Sequence, residues 1–180
     1  VPSRLLKGLK SMGMGPKDIH AVVLTHLHFD HSGGCTRLDR AGNTVPTFPK
    51  ATYYVQEACW DEACNPNERC HVTNRADNFL PIEERGQLEL LDGDCEIMPG
   101  LNVIVTDGHA KGHQMVMVNH GGERIVFLGD IVPTPHHLNL GVISAFDNSP
   151  ETTLERKRDL LAEAEKQGWL LVFSHGHDVR

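Results

Sequence analysis

Four apolar runs in this chain each lead to a histidine or an aspartate, and this pattern constrains the fold more than any other feature of the sequence. The runs begin at Val22, Val103, Ile125 and Leu170. Short apolar runs of this kind are typical of strands buried within a sheet. Because the strands of a sheet place their ends at a common rim, the polar side chains that follow them can converge. The pattern therefore predicts a layered α/β domain with a polar site at one rim.

The densest group of polar residues follows the first run. The segment His26-Leu27-His28-Phe29-Asp30-His31 holds three histidines and one aspartate within six residues. Imidazole and carboxylate are natural ligands for zinc and related divalent metals. The segment predicts a metal site on a loop at the end of a rigid strand. The alternative interpretation is a histidine-rich polar turn that binds nothing.

The other three runs add residues of the same chemical types. They lead to Asp107-Gly108-His109 with His113 four residues on, to Gly129-Asp130, and to His175-Gly176-His177. A single histidine at the end of a strand is more often a surface residue than a ligand, so the four runs carry weight only together. The last run leaves two candidates for the final ligand, and His175 is favoured over His177 because it follows the apolar run more closely.

The clearest secondary-structure prediction is a helix from Pro150 to Gln167. Ser149 is placed to cap its start and Gly168 to end it. A shorter helix is predicted from Ser3 to about Met14, residues 36–50 are predicted to be a loop, and residues 66–86 receive no assignment. Two hairpins are predicted, one around Asp92-Gly93-Asp94 and one around Gly121-Gly122.

The composition narrows the partners and the compartment. The chain has 180 residues and a net charge of −7, and it has no cluster of lysine and arginine. A nucleic-acid partner is therefore not expected, since phosphate binding needs such a cluster. No run approaches the roughly 18 apolar residues of a membrane helix, so no membrane partner is expected. Five cysteines, an odd number, predict free thiols rather than a disulfide framework and hence a cytoplasmic location.

The ordered motifs resemble those of the metallo-β-lactamase superfamily. The matching segments are His26-x-His28-x-Asp30-His31, Gly108-His109-x₃-His113, Leu128-Gly129-Asp130 and Phe173-Ser174-His175. The resemblance runs over nearly the whole chain. It implies an αββα sandwich, with residues 1–180 as one domain, and a metal-dependent hydrolase.

The resemblance also implies a dinuclear site with two divalent ions, Zn²⁺ first, with Mn²⁺, Fe²⁺ or Co²⁺ as alternatives. The first metal would be held by His26, His28 and His109. The second would be held by Asp30, His31 and His175, and Asp130 would bridge the two. Thr25 and His113 would orient these ligands through hydrogen bonds. Phe29 and His137 are the candidate substrate contacts.

The bridging aspartate narrows the branch of the superfamily. Lactonases, glyoxalase II and organophosphate hydrolases carry Asp where Asp130 stands, whereas the zinc β-lactamases carry Cys. His28 argues against the diiron redox branch, which has Glu at that position. The predicted reaction is attack on an ester or lactone by a hydroxide shared between the metals, with Asp30 and Asp130 as catalytic residues. Phosphotriester or thioester hydrolysis is the alternative, and a non-catalytic metal-binding fragment is another.

The first motif comes unusually early for this superfamily. Only one helix and one strand fit before His26, which leaves no room for the other strands of an N-terminal sheet. We therefore expect the domain to lack part of that sheet, and the C-terminus also comes early. A sandwich without those strands would expose an apolar face. We expect a second copy of the chain or a partner segment to cover that face, and a small molecule as substrate.

Overall fold

The computed structural model describes residues 4–176, and its elements fall into two compact units. The first unit comprises Val1–Val55 and Trp60–Leu91, and the second comprises Gln56–Cys59 and Asp92–Arg180. Each unit has its own sheet and its own buried apolar residues. The prediction that residues 1–180 form one domain stays a prediction.

The first unit contains a small, partly parallel sheet. Its strands and helices are α1 Arg4–Ser11, β1 Ala21–Val23, α2 Phe29–Ser32, β2 Thr36–Leu38, β3 Thr44–Pro46, β4 Thr52–Gln56, α3 Glu57–Cys64 (its first turn belongs to the second unit), α4 Leu80–Glu84 and β5 Leu88–Leu91. The sheet has the order β1-β4-β5, and β1 runs parallel to β4. Tyr53 and Val55 of β4 are fully buried, and the ring of Trp60 packs edge-on against Phe79 at 5.3 Å.

The second unit contains a five-stranded sheet and the longest helix. Its elements are β6 Cys95–Met98, β7 Leu101–Val105, β8 Gln114–His120, β9 Glu123–Phe127, α5 Pro150–Gln167 and β10 Leu170–Val172. The strand order is β10-β9-β8-β7-β6, antiparallel except that β10 runs parallel to β9. A parallel neighbour requires a crossover connection, and α5 lies within it. Val126, Leu128 and Leu160 belong to the apolar core of this unit.

Helix α5 has the predicted bounds, and one of its two predicted caps is correct. Gly168 adopts a left-handed conformation with φ +66° and donates its N–H to the carbonyls of Ala164 and Glu165. Ser149 does not cap the helix through its side chain, because its hydroxyl lies 2.7 Å from the hydroxyl of Thr152 instead.

The predicted hairpin around Asp92-Gly93-Asp94 is wrong, whereas the one around Gly121-Gly122 is confirmed. Strands β5 and β6 belong to different sheets. The side-chain amide of Gln56 explains the difference, because it exchanges two 2.9 Å hydrogen bonds with the backbone of Gly93. These bonds fix the turn as a connection from one sheet to the next.

Other segments differ from the prediction in detail. Residues 36–50, predicted as a loop, contain the antiparallel pair β2 and β3. The carboxylate of Asp39 lies in their turn and accepts backbone hydrogen bonds, the first of them from Asn43, which lower the pKa of Asp39. Residues 66–86 form short 3-10 turns followed by α4, and Ser3 lies outside the described residues. Among residues 4–176, no helix combines the length and apolar character needed to cross a membrane.

Candidate metal centre

The histidine-rich turn of the first unit brings its imidazoles into direct contact. His26 is completely buried, and the His28 ring packs edge-on against it with centroids 4.5 Å apart. The His31 ring lies 4.1 Å from His26, centroid to centroid. Asp30 Oδ2 is 3.5 Å from His31 Nε2, and the Asp30 side chain is 43% exposed. The four predicted ligands of this turn therefore form one cluster.

Two hydroxyl groups stabilise the conformation of this turn. The Thr25 hydroxyl lies 3.0 Å from His26 Nδ1, so it holds the orientation of this ring, as donor or as acceptor. The Ser32 hydroxyl donates to the carbonyl of His28 at 3.0 Å and receives a 3.2 Å hydrogen bond from the Asn78 amide. The backbone N–H of Phe29 donates to Thr73 at 2.8 Å. The segment that received no assignment from the sequence thus contributes to holding the candidate ligands.

In the second unit the carboxylate of Asp130 lies between two imidazoles. His109 Nε2 is 3.5 Å from Oδ2, and His175 Nε2 is 3.3 Å from Oδ1. Two ligands of one tetrahedral zinc ion, with bonds of about 2.1 Å, lie roughly 3.3–3.5 Å apart. Each oxygen of Asp130 is thus at ligand-to-ligand distance from a different histidine, so this donor set fits divalent cations.

The orientation of His109 is fixed by a buried carboxylate. His109 Nδ1 lies 2.8 Å from Asp147 Oδ1, and both side chains are buried. When Nδ1 carries the proton and donates to Asp147, the lone pair of Nε2 points toward Asp130. A lone pair and a carboxylate oxygen repel each other unless a cation or a proton lies between them. Asp147 was missed in the sequence because it follows a loop rather than an apolar strand.

His113 supports Asp130 through the backbone. This fully buried ring accepts the Asp130 N–H at Nε2 with a length of 2.9 Å, so its proton lies on Nδ1. The Thr106 hydroxyl, 2.6 Å from Nδ1, accepts that proton's hydrogen bond. The imidazole therefore links the end of β7 to the position of the candidate bridging residue.

The loop that carries His109 and His113 is tightly constrained. Asp107 has φ +52°, which is uncommon for a residue other than glycine, and its Oδ1 accepts the N–H of Gly112 at 2.7 Å. Gly108 has φ +75°, and a Cβ there would lie 2.5 Å from Thr153 Oγ1. Only glycine fits at this position, so the close packing of α5 against the loop determines where His109 lies.

Ser174 and His175 follow β10. The Ser174 hydroxyl lies 2.6 Å from Asp130 Oδ1 and 2.9 Å from the Gly129 carbonyl. The backbone N–H of His175 donates to Pro133 at 2.9 Å. Its rival as a ligand, His177, lies outside the described residues.

The two candidate substrate contacts have different surroundings. Phe29 is 45% exposed, and the Arg75 guanidinium lies 5.5 Å from its ring centroid. His137 is half-buried, with its Nδ1 2.8 Å from the Thr134 hydroxyl. Burial, followed by the nearby ammonium of Lys157, lowers the pKa of His137. His137 is therefore more readily neutral than an exposed histidine.

The sequence model of the metallo-beta-lactamase superfamily matches residues 2–175, and the chain belongs to this superfamily. Two relatives are N-acyl homoserine lactonases. That of Bacillus thuringiensis is 26% identical over 178 residues, 98% of this chain and 62% of the relative. That of Rhizobium radiobacter is 29% identical over 176 residues, 95% of this chain and 63% of the relative. The chain thus spans about three fifths of the length of these relatives.

A solved structure is similar over almost the whole chain. It is a probable metal-dependent hydrolase from Staphylococcus aureus, with a TM-score of 0.88 and 31% identity. The similarity covers 97% of this chain and 61% of that protein. The superfamily and its α/β fold, both predicted from the motifs, are confirmed.

Proposed function

We propose that this chain supplies the metal site of a hydrolase that opens lactone rings, with N-acyl homoserine lactones as the first substrate class. The observation that carries the proposal is the Asp130 carboxylate, whose two oxygens face His109 and His175 at 3.5 and 3.3 Å. The lactonases among the relatives support the choice of substrate.

We propose that two divalent ions, zinc first, are held by His26, His28, Asp30, His31, His109, Asp130 and His175. Such ions, when bound, act as Lewis acids toward a carbonyl oxygen and lower the pKa of water. The ligand histidines must be neutral to bind them. In the neutral ring of His109, the Asp147 carboxylate accepts the Nδ1 proton, and the lone pair is then on Nε2, toward Asp130.

The remaining roles belong to side chains near the ligands. Opening a lactone with water breaks the ring C–O bond and leaves an oxygen that must take up a proton. Asp30 is the most exposed of the predicted ligands of the turn, so we propose that its carboxylate passes a proton to that oxygen. The half-exposed ring of Phe29, next in sequence, offers an apolar surface to the acyl chain. A neutral His137 would serve as a hydrogen-bond partner for the substrate amide.

The test is a substrate panel on the zinc-, manganese- or cobalt-loaded chain. We expect turnover of N-acyl homoserine lactones above that of aryl esters and phosphotriesters, and a reduced rate for the D30N variant. The matched control is Asp92→Asn, an exposed aspartate in a turn. Faster turnover of a phosphotriester than of any lactone would show that phosphotriesters, not lactones, are the substrate class. Two bound metals without turnover of any substrate would instead support a non-catalytic metal-binding fragment.

A further inference from the structure

We propose that Lys157 is a positioning residue for the metal centre, acting through residues 139–147 on Asp147 and thereby on His109. The proposal deepens the proposed function and rests on it for the identity of the ligand histidine. Its structural basis lies entirely within the second unit.

The ammonium group of Lys157 binds α5 to this loop. Lys157 is only 1% exposed, although it stands on a helix that is mostly polar. Its Nζ donates to the Asn139 carbonyl at 2.9 Å and to the Val142 carbonyl at 2.8 Å. A buried charge is costly unless such partners satisfy it. The Asn139 carbonyl also accepts the Val142 N–H at 3.0 Å, so the ammonium completes a closed turn.

The far end of the same loop is attached to the loop that carries His109 and His113, which we call the ligand loop. Asp147 Oδ1 lies 2.8 Å from His109 Nδ1. The next two residues repeat the attachment through the backbone, since Asn148 donates to the His109 carbonyl at 3.1 Å and Ser149 to the Gly108 carbonyl at 2.8 Å. The loop between Lys157 and His109 is therefore held at both ends by hydrogen bonds.

Apolar packing contributes little to holding this loop. Three of its large apolar side chains are exposed, by 37–68%: Leu140, Val142 and Phe146. A loop that buries so little apolar surface depends on polar attachments for its order. The two hydrogen bonds from Lys157 attach its first residues to α5. Without them we expect the Asp147 carboxylate to occupy several orientations and His109 to lose its single tautomer.

The test compares two lysines of the same helix. Lys157→Met keeps the length of the side chain and removes its donors. Lys166→Met makes the same change at a side chain that is 77% exposed and paired with Glu163. In the metal-free chain, we expect the His109 Nδ1–H resonance to be seen by NMR in the wild type and in K166M and to be lost by exchange in K157M. We expect zinc affinity, from chelator competition, to fall about tenfold in K157M only.

A double variant tests whether Lys157 acts through Asp147. If it does, adding Lys157→Met to Asp147→Ala weakens zinc binding little further, because residues that act on one group are not additive. Independent effects that multiply, or a K157M chain with an unchanged resonance and affinity, would overturn the proposal. Should K157M not fold, Lys157→Gln retains an amide donor and gives a smaller version of the same losses. A wild type that binds no zinc, yet keeps a Lys157-dependent resonance, would refute only the metal-dependent function.

Discussion

At the scale of single residues, the hydrogen bond made by one ring nitrogen of a histidine determines what the other ring nitrogen can bind. His109 and His113 are both buried, and both present Nε2 toward Asp130, His109 to its carboxylate and His113 to its backbone N–H. At Nδ1 the two rings have different partners, Asp147 for His109 and the Thr106 hydroxyl for His113. The sequence predicted both histidines as site residues. It did not predict the partners that fix their tautomers, because Thr106 and Asp147 belong to no ligand motif.

The His113 hydrogen bond gives a prediction for stability. Thr106→Val removes the hydroxyl 2.6 Å from His113 Nδ1 and leaves a buried N–H without an acceptor. We expect the free energy of unfolding to fall by about 1–3 kcal/mol in urea. The control is Thr36→Val, whose hydroxyl bonds to the exposed Asp77 carbonyl, with an expected loss within about 0.5 kcal/mol. Equal losses in the two variants would show that the His113 contact has no special weight.

The half-buried His137 gives a prediction for pH dependence. Its pKa is lowered in the folded chain, by burial and then by Lys157, and this outweighs the opposite effects of Asp147 and Asp130. The folded state therefore binds a proton less readily than the unfolded state. The contribution of the neutral His137 to the free energy of unfolding is therefore complete above about pH 6.5, the ordinary pKa of histidine. It is lost as the pH falls through the lowered pKa of the folded state.

Urea unfolding of the metal-free chain between pH 5 and pH 7.5 measures this effect. We expect the wild type to lose more stability on acidification than the H137Q variant does. The neighbouring His136, which is exposed, provides the control, and H136Q should follow the wild type. Parallel curves for wild type and H137Q would contradict the assigned direction.

At the scale of elements, sequence patterns predicted the helix and strand features that depend on neighbouring residues. They missed the pairings and turns that depend on residues far away in the chain. The bounds of α5 follow from Pro150, its periodic apolar side and Gly168. The sheet assignment of β5 and β6 depends on Gln56, 37 residues before Gly93, so a local turn signal predicted the wrong pairing. Residues 66–86 likewise have no periodic pattern. Their contribution comes from Thr73 and Asn78, which form hydrogen bonds with the histidine-rich turn.

The packing of α5 on the ligand loop gives a prediction at this scale. Gly108→Ala would combine a positive φ with a Cβ 2.5 Å from Thr153 Oγ1. Gly121→Ala isolates the conformational cost, since Gly121 has φ +61° and open space around it. We expect G121A to lose about 1–2 kcal/mol of unfolding free energy and G108A to lose more, with weaker zinc binding in G108A alone. Equal stability losses would mean that the loop and α5 can separate at little cost.

At the scale of the whole molecule, the account depends on ligands that lie far apart in the chain. The order and spacing of the motifs identified the superfamily, since each motif carries candidate donor atoms whose chemistry cannot be exchanged freely. Substrate choice could not be predicted in the same way, because it depends on exposed side chains such as Phe29 and on loops such as residues 134–148. These carry no obligatory donor atoms and hence no recognisable spacing.

The most direct test of the central claim is the metal content of the purified chain. Elemental analysis after zinc loading and removal of excess metal should give about two ions per chain. Asp130→Ala should reduce this to one or fewer, whereas Asp159→Ala, an exposed aspartate of α5, should leave it unchanged. Two ions retained in D130A, or none in the wild type, would contradict a centre built around Asp130.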